Sequence, residues 1–203
     1  MTQVKPMRAD ARRNYALLLA AAAEAFAERG EGASLDDIAK RAGVGSGTLY
    51  RHFPTRQALL EAAYVDRIEA FAVRANVLAA ELPPGRALVE WLNELCVGAI
   101  QVRGMKALLG SAVADGSLAA ETVCGTTVQG AAARLVEAAQ RAGALRADVT
   151  PVEVLRLAHG VSTAAELAHG DRDAERDAEG VRRFVSLVVE GLRADGGTEP
   201  AGS

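Results

Sequence analysis

Residues 34–56, SLDDIAKRAGVGSGTLYRHFPTR, contain the side chains whose types and spacing are best suited to chemistry in this chain. Gly43 separates two short helical segments, and the second presents Thr48, Tyr50, Arg51 and His52 within five residues. A compact helical pair with polar, aromatic and basic side chains suits DNA, because phosphate contacts position a protein and base-edge contacts give specificity. This segment is therefore the candidate DNA-binding element.

Helices must position this segment, because the helical pattern continues through nearly the whole chain. Apolar residues recur at three- and four-residue spacing, and the alternation typical of strands is absent. We predict an all-α protein of about nine helices, near 10–29, 34–41, 46–53, 55–80, 86–102, 104–114, 118–142, 151–169 and 176–194. Ser34, Thr55 and Thr150 are the expected N-caps, and Gly43 can supply the positive φ of the turn.

The charge of the 203 residues is unevenly distributed. The net charge is −3, yet residues 1–56 contain nine Lys and Arg against six Asp and Glu, whereas residues 57–203 contain fourteen against twenty. A mildly basic head on an acidic body fits DNA binding by the head alone. We expect a DNA-binding domain at 8–56, a second helical domain at 57–195, and flexible tails at 1–7 and 196–203.

Other classes of function find little support. Cys96 and Cys124 lack metal or redox spacing, which favours buried, inert thiols in a reducing compartment. The chain has no G-x-S-x-G, phosphate loop or H-E-x-x-H motif, and His159 and His169 have no third ligand at metal spacing. No apolar run reaches the roughly 20 residues of a membrane span. We expect a cytoplasmic protein that is not an enzyme and needs no cofactor or metal.

Ala39, Gly43 and Leu49 of the candidate segment stand four and six residues apart. The small Ala39 lets the two helices approach, Gly43 makes the turn, and Leu49 anchors the second helix to the core. This pattern resembles the helix-turn-helix of the TetR family of bacterial transcriptional regulators. The matches run in register over about residues 8–65 and include Leu18, Ala22, Phe26, Ser34, Ile38, Ala39, Gly43, Gly47, Thr48, Leu49, Tyr50, His52, Phe53 and Arg56. The rest of the chain carries no comparable motif.

The resemblance implies which residues contact DNA. It assigns base reading to Ser46, Gly47, Thr48 and Arg51, and phosphate contacts to Ser34, Tyr50, His52 and Arg56. A flexible basic arm formed by Lys5, Arg8, Arg12 and Arg13 would add nonspecific affinity. Two plainer interpretations stay open, since Tyr50 can be a core aromatic and Arg51 can simply be solvated. Gly45 stands where many members have a serine or threonine cap, and Ser46 stands where they have a larger polar residue. With Gly47 beside them, few side chains remain to read bases.

The second domain has many small residues on its helices and few large ones. Close helix packing is one interpretation, and a ligand cavity bordered by the large side chains is the other. The resemblance favours a small-molecule effector pocket, for which the candidates are Phe71, Trp91, Leu92, Gln101, Met105 and Leu109. The last two helices carry more apolar surface than a peripheral hairpin needs, and in similar proteins they pair with their symmetry mates.

Together these features predict a ligand-responsive repressor that binds a pseudo-palindromic, double-stranded DNA operator as a homodimer. The alternative is a DNA-binding accessory regulator with a close-packed body and no small-molecule effector.

Overall fold

A computed structural model of the chain describes residues 9–102, 105–106, 108–110, 123–168 and 174–193. All secondary structure in these ranges is helical, which confirms the predicted all-α class. The helices are α1 (Ala9–Arg29), a 3-10 helix (Gly30–Gly32), α2 (Leu35–Arg41), α3 (Ser46–His52), α4 (Arg56–Glu81), α5 (Pro84–Gln101), α6 (Val123–Arg141), α7 (Pro151–Ala168) and α8 (Ala174–Gly191). Residues 105, 106 and 108–110, within the predicted helix 104–114, are also helical.

Some sequence predictions fall outside the described residues. They are the tails 1–7 and 196–203, the Lys5 and Arg8 part of the basic arm, the break between the predicted helices 104–114 and 118–142, and His169.

The chain divides into two compact units, and the division lies within α4 between Val65 and Asp66. The first unit extends beyond residue 56 because the first turns of α4 are part of its core. Leu59 and Tyr64 are buried, and the Tyr64 hydroxyl donates to the Ala23 carbonyl of α1 at 3.3 Å.

The core of the first unit is built on α1. Leu18, Ala22 and Phe26, spaced by four residues, are fully buried, as are Ile38 of α2 and Leu49 of α3. This stripe confirms the packing expected from the sequence, and it holds the two short helices α2 and α3 against one long helix.

Local sequence signals fix the ends of these helices. The Ser34 Oγ accepts from the Asp37 N–H at 3.4 Å, and the Thr55 Oγ1 accepts from the Ala58 N–H at 3.1 Å, so both predicted N-caps are present. Gly43 has a φ of 66°, the left-handed region that the turn between α2 and α3 requires.

In the second unit, α5 packs against α6, α7 and α8. Its only tryptophan, Trp91, is fully buried, and the indole Nε1 donates to the Phe71 carbonyl of α4 at 2.9 Å. At the start of α7 the Thr150 Oγ1 accepts from the Glu153 N–H at 3.3 Å, while the Glu153 carboxylate accepts from the Thr150 N–H at 2.8 Å. This reciprocal pair is a capping box, and it confirms the third predicted N-cap.

Candidate nucleic-acid interface and effector groove

The short helix α3 has one anchored face and one exposed face. Leu49 is fully buried, and Phe53, which follows the helix, is nearly so. On the opposite face Tyr50 is 47% exposed, which excludes a core role for this tyrosine. Ser46 and Gly47 are exposed beside it at helical spacings of four and three residues. The structure thus places three of the eight predicted DNA contacts, Ser46, Gly47 and Tyr50, on one exposed surface.

Arg51 is exposed but folded back along its own helix. Its Nε donates to the Gly47 carbonyl at 3.0 Å, and its Nη2 donates to the Thr48 Oγ1 at 3.5 Å. These contacts hold the guanidinium beside the half-buried Thr48 and leave other N–H groups for a base edge or a phosphate.

His52 lies at the end of α3 in a cluster of aromatic rings. Its ring packs edge-on against Tyr15 of α1, with centroids 5.9 Å apart, and Tyr15 lies 5.2 Å from the ring of Phe53. His52 is half-buried as a result, so it fixes the end of α3 on α1 while keeping part of its ring at the surface.

Arg56, the first residue of α4, reaches back to the end of α1. Its Nη2 donates to the Gly30 carbonyl at 3.1 Å, its Nη1 donates to the Ala33 carbonyl, and the guanidinium lies 5.1 Å from the centre of the Phe26 ring. Sequence reasoning missed this internal role, because the partners lie more than twenty residues earlier in the chain.

Ion pairs also join α2 to α1. The Arg41 guanidinium donates to both carboxylate oxygens of Glu28, at 2.9 and 2.8 Å, and Arg29 pairs with Asp37 at 3.1 Å. The hydrogen bond from Arg41 holds the pKa of Glu28 below its usual value. Two basic side chains of the first unit are therefore already paired with carboxylates, while Ser34 caps the start of α2.

An open groove of about 420 Å³ lies between α4 and α5 in the second unit. Its lining residues are Arg67, Ala70, Phe71, Arg74, Glu94, Val97, Gly98 and Gln101. Two of the six predicted effector residues, Phe71 and Gln101, are among them.

The other four effector candidates do not line this groove. Trp91, Met105 and Leu109 are buried, and Trp91 supports the groove from behind through its bond to the Phe71 carbonyl. Leu92 borders a separate, wholly apolar crevice between α5, α7 and α8. The charged lining residues that the sequence reading missed, Arg67 and Arg74 among them, follow the helical spacing of Phe71 on α4.

Comparison with known proteins identifies the family to which this architecture belongs. Residues 18–63 match the profile described as bacterial regulatory proteins, tetR family, and residues 83–194 match the one described as transcriptional regulator SbtR-like, C-terminal domain. The chain belongs to the TetR family. It is therefore a DNA-binding transcriptional regulator rather than an enzyme, and its helix-turn-helix is the α2–α3 pair.

Individual TetR-family relatives show the extent of the similarity. The TetR transcriptional regulator SCO0520 of Streptomyces coelicolor is 32% identical, with 89% of this chain and 99% of that chain covered, at a TM-score of 0.51. The repressor FadR of Thermus thermophilus, solved with lauroyl-CoA, is 20% identical, with 93% and 100% covered, at a TM-score of 0.58, and so shows the fold alone. The HTH-type transcriptional regulator SAR0097 of Staphylococcus aureus is 36% identical over 77 residues, which span 36% of this chain and 40% of that protein.

Within the described ranges of this TetR-family chain, no helix is long and apolar enough to cross a membrane. The same ranges hold no group of three or more His, Cys, Asp or Glu that could bind a metal ion.

Proposed function

We propose that this TetR-family regulator is a ligand-responsive repressor that binds a pseudo-palindromic operator as a homodimer. The main support is the exposed face of α3, where Tyr50, Arg51 and their neighbours point away from a core that Leu49 anchors. Two such faces, one from each protomer, would enter adjacent major grooves about 34–36 Å apart.

Within each half-site, Thr48 and Arg51 would read bases. The Thr48 methyl suits a thymine methyl, and the Arg51 guanidinium suits guanine O6 and N7 once it leaves the Gly47 carbonyl. Ser46 and Gly47 are small enough to let the backbone approach the bases closely. The phosphate contacts would fall to Ser34, Tyr50 and His52, with Arg56 acting chiefly by holding α4 to α1.

The dimer proposal rests on the last two helices. Leu157 and Leu167 of α7 are 38% and 81% exposed, and Leu187 of α8 is 50% exposed. Large apolar side chains at such exposure are suited to a self-complementary surface, in which the same patch is buried on both protomers.

The proposed effector site is the α4–α5 groove. Its volume lies within the range of about 300–1,000 Å³ that small-molecule sites occupy. The helix that forms one wall, α4, begins at Arg56 in the DNA-binding unit, so a ligand would act on a helix that belongs to both units. Differential affinity for two conformations, typically worth about 1–3 kcal/mol, would suffice to weaken operator binding.

The test begins with duplexes that the wild-type protein selects from a random-sequence pool. Tyr50→Ala and Arg51→Ala should each weaken binding to the selected duplex about tenfold or more, with melting temperature and sedimentation behaviour as in wild type. Arg86→Ala, at an exposed arginine of the second unit, is the matched control. Wild-type affinity in both α3 variants would contradict the recognition-helix assignment, and a monomer on the selected duplex would contradict the dimer.

The burial of Trp91, Met105 and Leu109 favours a second candidate, a DNA-binding accessory regulator with a close-packed body and no effector. The two candidates differ in one measurement. A small molecule that binds the groove and releases the selected duplex would eliminate the accessory regulator, whereas groove ligands without any effect on DNA affinity would favour it.

A further inference from the structure

The walls of the α4–α5 groove are matched in register. Arg67, Phe71 and Arg74 follow one another on α4 by four and three residues, and Glu94, Gly98 and Gln101 do the same on α5. Residues at these spacings share one face of a helix, and each set spans roughly 10 Å.

Two contacts show which residues face each other across the groove. Arg74 and Glu94 form a bidentate pair, with Nε donating to the two carboxylate oxygens at 2.9 and 3.0 Å. The tip of the Phe71 ring points at Gly98, where a Cβ would come within 2.6 Å of the ring Cζ. The helices therefore run antiparallel, and the same register puts Arg67 opposite Gln101.

The charges of the groove are unequal at its two ends. Glu94 neutralises Arg74 at one end. At the other end Arg67 is exposed, faces a neutral amide, and has no hydrogen bond or ion pair to any residue in the described part of the chain. The described lining thus has an excess of one positive charge, located at Arg67, which offers a local partner for an anionic group.

The middle of the groove is apolar. Ala70, Phe71 and Val97 line it, and the absence of a side chain at Gly98 lets the tip of the Phe71 ring reach α5, so that the ring forms part of an apolar floor. Such a floor favours an apolar ligand body that contacts the ring.

From these two features we propose that the α4–α5 groove binds a small amphipathic anion, with its carboxylate at Arg67 and an aromatic body on Phe71. The chemical class builds on the proposed effector role of this groove, but binding can be measured without DNA. The excess charge selects the anionic head, and the apolar floor selects the body.

Three probes with the same ring system separate charge from shape: 2-naphthoate, 2-naphthamide and 2-naphthylmethylammonium. Titration calorimetry on the full-length protein should show the carboxylate binding about tenfold or more tightly than the amide, and no binding of the cation. In Arg67→Met the carboxylate should bind only as well as the amide. Arg86→Met, which removes an exposed positive charge away from the groove, should behave as wild type.

A second variant tests the floor. In Gly98→Ala the new Cβ would lie within 2.6 Å of the Phe71 Cζ and the ring must move, so the affinities of the carboxylate and the amide should fall together. The melting temperature of Gly98→Ala shows whether this variant is generally destabilised. The charge test does not depend on that result, because Arg67→Met changes an exposed residue.

Three results would overturn the proposal: equal affinity for carboxylate and amide, no binding of any probe, or an unchanged carboxylate preference in Arg67→Met. A different result bears on the effector role alone. If 2-naphthoate binds through Arg67 yet leaves the affinity for the selected duplex unchanged, the chemical class is right and the groove is not the regulatory site.

Discussion

Arg56 is expected to affect DNA binding through the packing of the first unit, not through a phosphate. Arg56→Lys keeps the positive charge and removes the planar fork that reaches the carbonyls of Gly30 and Ala33 over the ring of Phe26. A hydrogen bond from a charged donor contributes about 1.5–3 kcal/mol, and a cation–π contact about 0.5–1 kcal/mol. Lysine can keep one of the hydrogen bonds, so at this partly exposed site we expect a loss of about 2 kcal/mol.

The loss should be visible in both stability and DNA affinity. About 2 kcal/mol corresponds to a fall of roughly 4–8 °C in melting temperature for a chain of this size. Affinity for the selected duplex should fall in Arg56→Lys and further in Arg56→Gln. The dependence of log K on log salt, measured from about 50 to 200 mM, should keep its wild-type slope in both variants, because no phosphate contact is removed.

A phosphate contact would give the opposite pattern. Arg56→Lys would then bind nearly as well as wild type at an unchanged melting temperature. Arg56→Gln would reduce the salt slope by about 0.9 per protomer. That pair of results would refute the positioning role, and Arg86→Lys and Arg86→Gln show what the same changes do at an exposed arginine elsewhere.

Three further predictions concern the fold. Gly43→Ala, at a φ of 66° with open space around the Cβ, should lower the free energy of unfolding in urea by roughly 1–2 kcal/mol. Gly47→Ala within α3 should instead raise it by up to about 1 kcal/mol. A change of the same sign in both variants would contradict the role of Gly43 in the turn. Burial raises the pKa of Cys96 to about 11, so the stability contributed by the neutral thiol is complete below about pH 9 and is lost as the pH rises towards 11. In a Cys124→Ser background a disulfide reagent at pH 8 should react with Cys96 only when the protein unfolds. Fast labelling of the native protein would disprove this. Thr150→Ala removes the capping box of α7 and should lower the free energy of unfolding by about 1 kcal/mol in the same urea assay. An unchanged free energy of unfolding would show that the cap contributes nothing.

The features predicted correctly from sequence are those encoded within a few residues. Ser34 and Thr55 cap helices that begin next to them, and Gly43 makes a turn that depends on its own φ. The stripe of Leu18 and Phe26 likewise follows from the period of a single helix. In each case the physical cause lies inside the window that a sequence pattern can show.

The groove was predictable only in part, because it depends on the register between two helices. Size and chemistry suggested Phe71 and Trp91 together, yet Phe71 faces the groove and Trp91 faces the core. Arg74 meets a carboxylate twenty residues away, and Arg67 meets none within the described residues. Neither outcome follows from spacing along one helix, since it depends on which face of α5 lies opposite.

The charges of the first unit bear on how such a regulator could be switched. Arg29 and Arg41 are paired with carboxylates, and Arg56 donates to carbonyls, so three of the nine Lys and Arg of residues 1–56 already have partners within the first unit. A single unit in which these three arginines are already engaged should bind a half-site weakly, because phosphate contacts supply most nonspecific affinity. Joining the DNA-binding units of two protomers makes the second contact with DNA intramolecular. The resulting gain in affinity disappears when the geometry prevents both DNA-binding units from binding at once. Under the proposed function, weak binding by each DNA-binding unit would let a small change in the spacing between the two DNA-binding units release the operator.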